Sequence, residues 1–138
     1  MLKSLLEPRV EWTYAALRIA SGLMFSFHGM QKIFGVFTDK TPAFGTQIWL
    51  GGIIELVCGL AIAAGLLLRP AAFLASGTMA VAYTQFHWKG QLGEQLLPGV
   101  NKGELALVYA FLFLYFAARG PGRPSVDEAQ SAGSRPRK

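Results

Sequence analysis

The chain has 138 residues, room for one domain, with 52% hydrophobic and only 15% charged residues and a formal charge of +5. About a quarter of the residues of an ordinary soluble protein are charged, so long charge-free stretches here exclude that class and point to a membrane protein. The single cysteine, Cys58, excludes an intramolecular disulfide and a Cys-x-x-Cys pair, and nucleic acid is not an expected partner because most basic residues flank apolar segments.

The first apolar segment is predicted as a helix over 13–34. Its positive lead, Lys3 and Arg9, resembles a secretory leader. The run is too long for one, holds His28, and closes on Gln31-Lys32 without a small-residue cleavage site, so it reads as a retained helix. After a medium loop over 35–46, a second helix is expected over 47–68. Arg69-Pro70 separates it from a third over 71–86, because proline suits a first helical position. The short join makes these two an antiparallel hairpin.

The loop 87–101 carries Trp88, Gly90, Gly93, Pro98 and Gly99, and reads equally as a folded-back lid or a plain surface loop. The fourth helix, 102–118, stops at Arg119-Gly120-Pro121-Gly122. The third and fourth fall slightly short of the roughly 20 residues that cross a bilayer, which implies local thinning or a buried end. The fold class is therefore all-α: an integral membrane four-helix bundle over 1–120. Residues 121–138, rich in Pro, Gly, Ser and Arg, read as a disordered basic cytoplasmic tail, with Arg135, Arg137 and Lys138 near anionic lipid.

Basic residues set the expected orientation. Lys3, Arg9, Arg69, Arg119, Arg123, Arg135, Arg137 and Lys138 share one side, against Lys32, Lys40, Lys89 and Lys102 on the other. Both termini are thus expected in the cytoplasm. Trp12, Trp49 and Trp88 lie near helix ends, as interface anchors do.

Polar residues inside such segments cost about 2.5–3.5 kcal/mol each on insertion scales, so they mark a function by default. The topology gathers His28, Gln31, Lys32, Glu55, Gln85, His87, Asn101, Lys102 and Glu104 in the outer half, with Arg18 toward the cytoplasm. Glu55 sits about 12 Å along its helix from Gln47, too deep to reach water easily. Arg18, Ser21/Gly22, Phe25, Gly29 and Lys32 recur at three- and four-residue steps and share a stripe. Gly51, Glu55 and Gly59 do the same on the second helix, where small residues let a neighbouring backbone approach. Glu55 is expected to pair with a base of the first helix, Lys32 rather than Arg18 on depth. The candidate pocket comprises Arg18, His28, Lys32, Glu55, Gln85, His87, Asn101 and Glu104, with no metal among its expected occupants. Arg18 reads also as a headgroup contact, and Glu104 as a first-turn dipole partner. The run Tyr109, Phe111, Phe113, Tyr115, Phe116 reads as core and lipid surface.

The motifs Arg18-x3-Gly22, His28-Gly29-x2-Lys32-x2-Gly35 and Gly51-Gly52-x2-Glu55-x3-Gly59 carry a resemblance. With Asn101-Lys102-Gly103-Glu104 and Gly120-Pro121-Gly122-Arg123-x-Ser125-x-Asp127, the sequence resembles the DoxX family of small four-helix membrane proteins over about 17–127. The family takes its name from a small subunit of an archaeal membrane complex that oxidises thiosulfate with quinone as acceptor. The resemblance implies a multi-pass protein of the bacterial cytoplasmic membrane with a link to quinone redox chemistry.

Two functions compete. In the first, the chain is a subunit or partner of a quinone-linked oxidoreductase: His28, Lys32, Gln85 and His87 supply hydrogen bonds, Glu55 and Glu104 relay protons. No flavin fingerprint, cysteine cluster or metal spacing is present, so a partner redox protein must supply electrons; whether the chain is itself an enzyme stays open. In the second, it is a binding or assembly module without catalysis, holding a lipid or another amphipathic small molecule, or self-associating. A haem between His28 and His87 is disfavoured by their different depths, and a transport path would require oligomers.

Overall fold

The computed structural model describes residues 2–133, and their regular structure is entirely helical. A short helix (Leu2–Leu6) and a tight turn (Glu7–Arg9) lead into α1 (Val10–Phe34). α1 ends where Gly35 takes φ 67° and its N–H donates to Gln31 O at 3.1 Å, a left-handed cap that suits glycine. α2 (Gln47–Ala64) starts at Thr46, whose hydroxyl accepts from Trp49 N at 3.3 Å.

α3 (Leu68–Ala82) begins before Arg69-Pro70, not after it. First-turn N–H groups have no intrahelical acceptor, so Pro70 costs nothing there. α2 correspondingly ends earlier than 68, and residues 65–67 form the hairpin turn. Beyond Ala82 the helix continues as a π-helical stretch, Tyr83–Trp88, closed by Lys89 N donating to Thr84 O at 2.9 Å. α4 (Glu104–Arg119) follows. Among the described helices α2 alone is long and apolar enough to cross a membrane by length and hydropathy. α1 is long but carries Arg18, Ser21, Ser26, His28, Gln31 and Lys32, and α3 and α4 have 15 and 16 residues.

The bundle is built from two tight pairs, α1 with α2 and α3 with α4. Glycine sets the first pair. A Cβ at Gly22 would lie 2.6 Å from Ala63 N, and one at Gly59 2.5 Å from Ser26 N. At Gly29 a Cβ would overlap the backbone of Leu56 and lie 2.6 Å from Gly52 O. The expected stripe is half right: Gly59 packs as read, but Gly52, not Gly51, faces α1. Neighbouring helix positions differ by about 100°, so only one of adjacent glycines can meet the partner. In the second pair Ser76 Oγ donates to Ala110 O at 2.7 Å. Aromatic rings join the pairs: Phe25 lies 4.8 Å from Phe113 and 5.5 Å from Tyr109, and Tyr14 5.4 Å from Phe116, ring centre to ring centre.

The segment after Gly120 overturns the expectation of disorder for residues 121–133. It folds back over the end of the bundle that holds the 65–67 turn and closes with α5 (Val126–Gly133). Arg18, only 1% exposed, donates to Pro121 O and, at 2.7 Å, to Pro124 O. Asp127 accepts from Leu67 N at 2.7 Å and Leu68 N at 2.9 Å, while its own N–H donates to Gly65 O at 3.0 Å. These bonds satisfy the N–H groups of Leu67 and Leu68 at the start of α3, where Leu67 takes φ 46°. Arg69 donates to Ala117 O and Ala118 O, both at 2.7 Å, capping the last turn of α4. Arg135, Arg137 and Lys138 lie outside the described residues.

Replacing Arg18 by Leu removes the donors of this clamp from a buried position. The expected cost is about 3 kcal/mol, from lost charge-assisted bonds and stranded carbonyls. Chemical denaturation in detergent measures it, and cleavage by trypsin after Arg119 should accelerate alongside.

Candidate functional site

At the opposite end of the bundle, Lys32 on the last turn of α1 reaches Glu55 on α2. The pairing expected from depth is present: Lys32 Nζ lies 2.5 Å from Glu55 Oε1. Glu55 is 3% exposed, whereas the Lys32 side chain keeps about a third of its surface open. Burial of the acid makes a counter-charge necessary, because an isolated carboxylate in an apolar interior is strongly disfavoured. The close approach at Gly52 brings the Lys32 backbone near enough: a Cβ there would sit 2.8 Å from Lys32 Cβ.

Two cavities meet at this ion pair. The first is a groove of about 590 Å³ between α2 and α3, at the half of that hairpin far from the 65–67 turn. Its walls are Ile48, Leu50 and Ile54 of α2 with Phe73, Val81 and Phe86 of the third helix and its extension. Gly51 and Gly77 border it, and a Cβ on either would meet no atom within 4 Å. The second is a smaller chamber of about 220 Å³, lined by Phe25, His28, Lys102, Leu105, Ala106 and Tyr109. Lys32, Glu55, Met79, Ala82 and His87 line both, so the ion pair stands where groove and chamber meet.

Glu55 and Tyr109, which line the chamber, each carry a sealed polar atom without a hydrogen-bond partner, Glu55 Oε2 and the Tyr109 hydroxyl. Buried polar groups are nearly always satisfied, so each is a local cost to the fold. Tyr109 is held rigidly: its ring stacks on Phe113 with centres 5.0 Å apart.

Of the eight candidate residues, His28, Lys32, Glu55 and His87 meet here. The other four do not line this chamber, although the Asn101 backbone O lies 3.4 Å from His87 Nδ1. Arg18 belongs to the tail clamp at the far end and contacts carbonyls, not Glu55 and not headgroups. Gln85 is exposed and accepts from Gln47 Nε2 at 2.6 Å, tying α3's extension to the start of α2. Asn101 is buried but holds the loop: its Nδ2 donates to Gln95 O at 3.0 Å and its Oδ1 accepts from Gly103 N at 2.8 Å. The loop folds back on the third helix, with the Tyr83 hydroxyl 3.4 Å from Leu96 O. Glu104 is exposed in the first turn of α4, beside Gly99. Sequence reasoning passed over Tyr109 and left Lys102 out of the candidate pocket. The usable signal was the buried face of α4, Ala106, Tyr109, Ala110, Phe113 and Phe116, on which Tyr109 alone carries a polar atom.

The described residues form an all-helical bundle with a charged pair sheltered beside an apolar groove. The DoxX family profile matches residues 13–88. The chain belongs to the DoxX family, a family of membrane proteins. It is also 37% identical over 126 residues to a protein of Haemophilus influenzae described only as uncharacterized, covering 88% of this chain and 93% of that one. No solved structure matches the chain.

Proposed function

We propose that this chain spans the bacterial cytoplasmic membrane four times, termini inward, and serves as the quinone-binding subunit or partner of a membrane redox system. The single observation that carries the reading is the junction of groove and chamber at Lys32/Glu55. An isoprenoid quinone has an apolar tail and a ring with two polar oxygens. The groove suits the tail; the chamber offers Lys32, His28, His87 and Tyr109 to the ring.

The helix surfaces support a lipid setting. Leu17, Leu23 and Met24 of α1, Val57 and Leu60 of α2, Phe73 and Leu74 of α3, and Val108, Phe111 and Leu114 of α4 are all exposed. Apolar surface on all sides of a bundle suits hydrocarbon. The basic bias, with Arg9, Arg69, Arg119 and Arg123 at the clamp end, orients that end to the cytoplasm. A quinone, when bound, would accept two electrons and two protons on reduction to the quinol; this chain contributes seating and charged groups beside the ring, and a partner protein supplies the electrons.

Extraction of detergent-purified protein tests the reading. A quinone should co-purify with the wild type and be lost in Lys32→Ala. Gly77→Leu should lose it as well with a melting temperature no lower than that of the wild type, because a Cβ there meets no atom within 4 Å and the side chain enters the groove. A retained phospholipid in place of quinone would favour a non-catalytic lipid-binding or assembly module.

A further inference from the structure

A guest at the junction of groove and chamber meets the basic side of the ion pair. Glu55 is 3% exposed and its Oε2 is sealed, whereas the Lys32 side chain keeps about a third of its surface open. An ammonium has three donors, and the one partner of Lys32 among the described residues is Glu55 Oε1. Donors are left for a guest. His28 and His87 line the chamber and are half-buried. Lys102 lines it as well and is exposed, so it stands at the open side. Among the described residues no acid pairs with Lys102, and its neighbour Glu104 lies beside Gly99.

The backbone holds Lys102 in place at a local cost. It takes φ 60° after the short helix Pro98–Asn101, a conformation that glycine or asparagine adopts more cheaply. Gly103 N fixes the turn by donating to Pro98 O at 3.0 Å and to Asn101 Oδ1 at 2.8 Å. Two lysines against one glutamate leave the lining of groove and chamber with a formal excess of one positive charge, beside two imidazoles. Lys32 and Glu55 neutralise each other, so the uncompensated charge is that of Lys102.

We infer that this seat takes an amphiphile whose head is a singly ionised oxygen acid, its chain in the apolar groove and its oxyanion met by Lys32 and Lys102. The inference rests on the seat of the quinone reading and not on the ring. The oxyanion is the ionised hydroxyl of a hydroxyquinone or the carboxylate of a free acyl chain. Lys102 sets the preference for charge; the groove sets the preference for a chain.

Equilibrium binding to the full chain in phosphatidylcholine nanodiscs, corrected for partition into empty discs, tests this with two matched pairs. One pair is an alkyl hydroxynaphthoquinone and its methyl ether, the other dodecanoate and dodecanol, all in a buffer alkaline enough to ionise both acids. The anion of a pair should bind at least about tenfold more tightly, the effect of one opposite charge in contact at a partly buried site. Lys102→Gln should cut that margin by about three- to tenfold and change the binding of the neutral members little. Lys102 is exposed and has no ion-pair partner among the described residues, so the variant should keep the wild-type melting temperature. A preference in the naphthoquinone pair alone assigns the oxyanion to a ring hydroxyl. A preference in the acyl pair, with neither naphthoquinone bound, assigns it to a carboxylate and removes the quinone reading while the inference stands. Equal binding within both pairs, or a margin that Lys102→Gln leaves unchanged, overturns the inference; the quinone reading then survives if the methyl ether binds. Binding of none of these compounds overturns both.

Discussion

Gly29→Leu is expected to abolish the folded bundle, whereas Gly51→Leu should leave it intact. At Gly29 the obstacle is the backbone of Leu56 and Gly52, which cannot rotate away as a side chain would. Separating α1 from α2 to admit the new atoms would undo the approach at Gly22, Gly52 and Gly59 together. Overpacking a close contact costs about 1–3 kcal/mol where side chains can move; a backbone obstacle puts the cost at or above about 3 kcal/mol. At Gly51 a Cβ meets nothing within 4 Å and points to the groove. Replacing a helical glycine also improves helix propensity by somewhat under about 1 kcal/mol. Thermal unfolding of the two variants in the same detergent measures the difference. Similar melting temperatures would mean that α1 and α2 do not pack through these glycines.

The second large effect is asymmetric loss of the ion pair. Lys32→Met leaves Glu55 buried with no counter-charge and should cost about 3 kcal/mol, the range for breaking a buried pair from one side. Glu55→Gln should cost less, about 1–2 kcal/mol, because the Lys32 ammonium is partly open and can be solvated from the groove. The double variant Lys32→Met with Glu55→Gln should recover at least half of the Lys32→Met loss. A coupling of about 3 kcal/mol in the double-mutant cycle is expected, the upper end for groups in direct contact. Additive single effects would mean that the two side chains do not interact in the bilayer.

Much of this was legible in the residues. Lys32 and Glu55 are charges inside apolar runs, and depth along antiparallel helices is enough to bring them level. His28 and His87 read as lying at different depths, yet both line the same chamber. Arg18 was misplaced because depth alone does not show what lies beyond the helix end. Its partners are carbonyls of Pro121 and Pro124, in a stretch whose Pro, Gly and Ser content gives no hydrophobic period. The order there comes from buried Arg18 and from Asp127 capping α3, polar contacts between parts of the chain about 60 to 105 positions apart, which no local pattern reveals. The glycine phase was off by one residue because Gly51 and Gly52 are adjacent and composition cannot choose between them. The groove is a property of two helices diverging, and no residue type announces it. Tyr109 lies in an aromatic run that reads as core, which its ring is, and that pattern does not mark its hydroxyl as the one polar side-chain atom on the buried face of α4.

Photo-crosslinking with an azido-substituted quinone, followed by peptide mapping, tests the central claim most directly. With the azide on the ring, label should fall on peptides holding Lys32, Glu55, His87 and Tyr109, and should be lost in Gly77→Leu. Label confined to the outward faces of α1 and α4, unchanged by Gly77→Leu, would contradict a seat at the junction of groove and chamber.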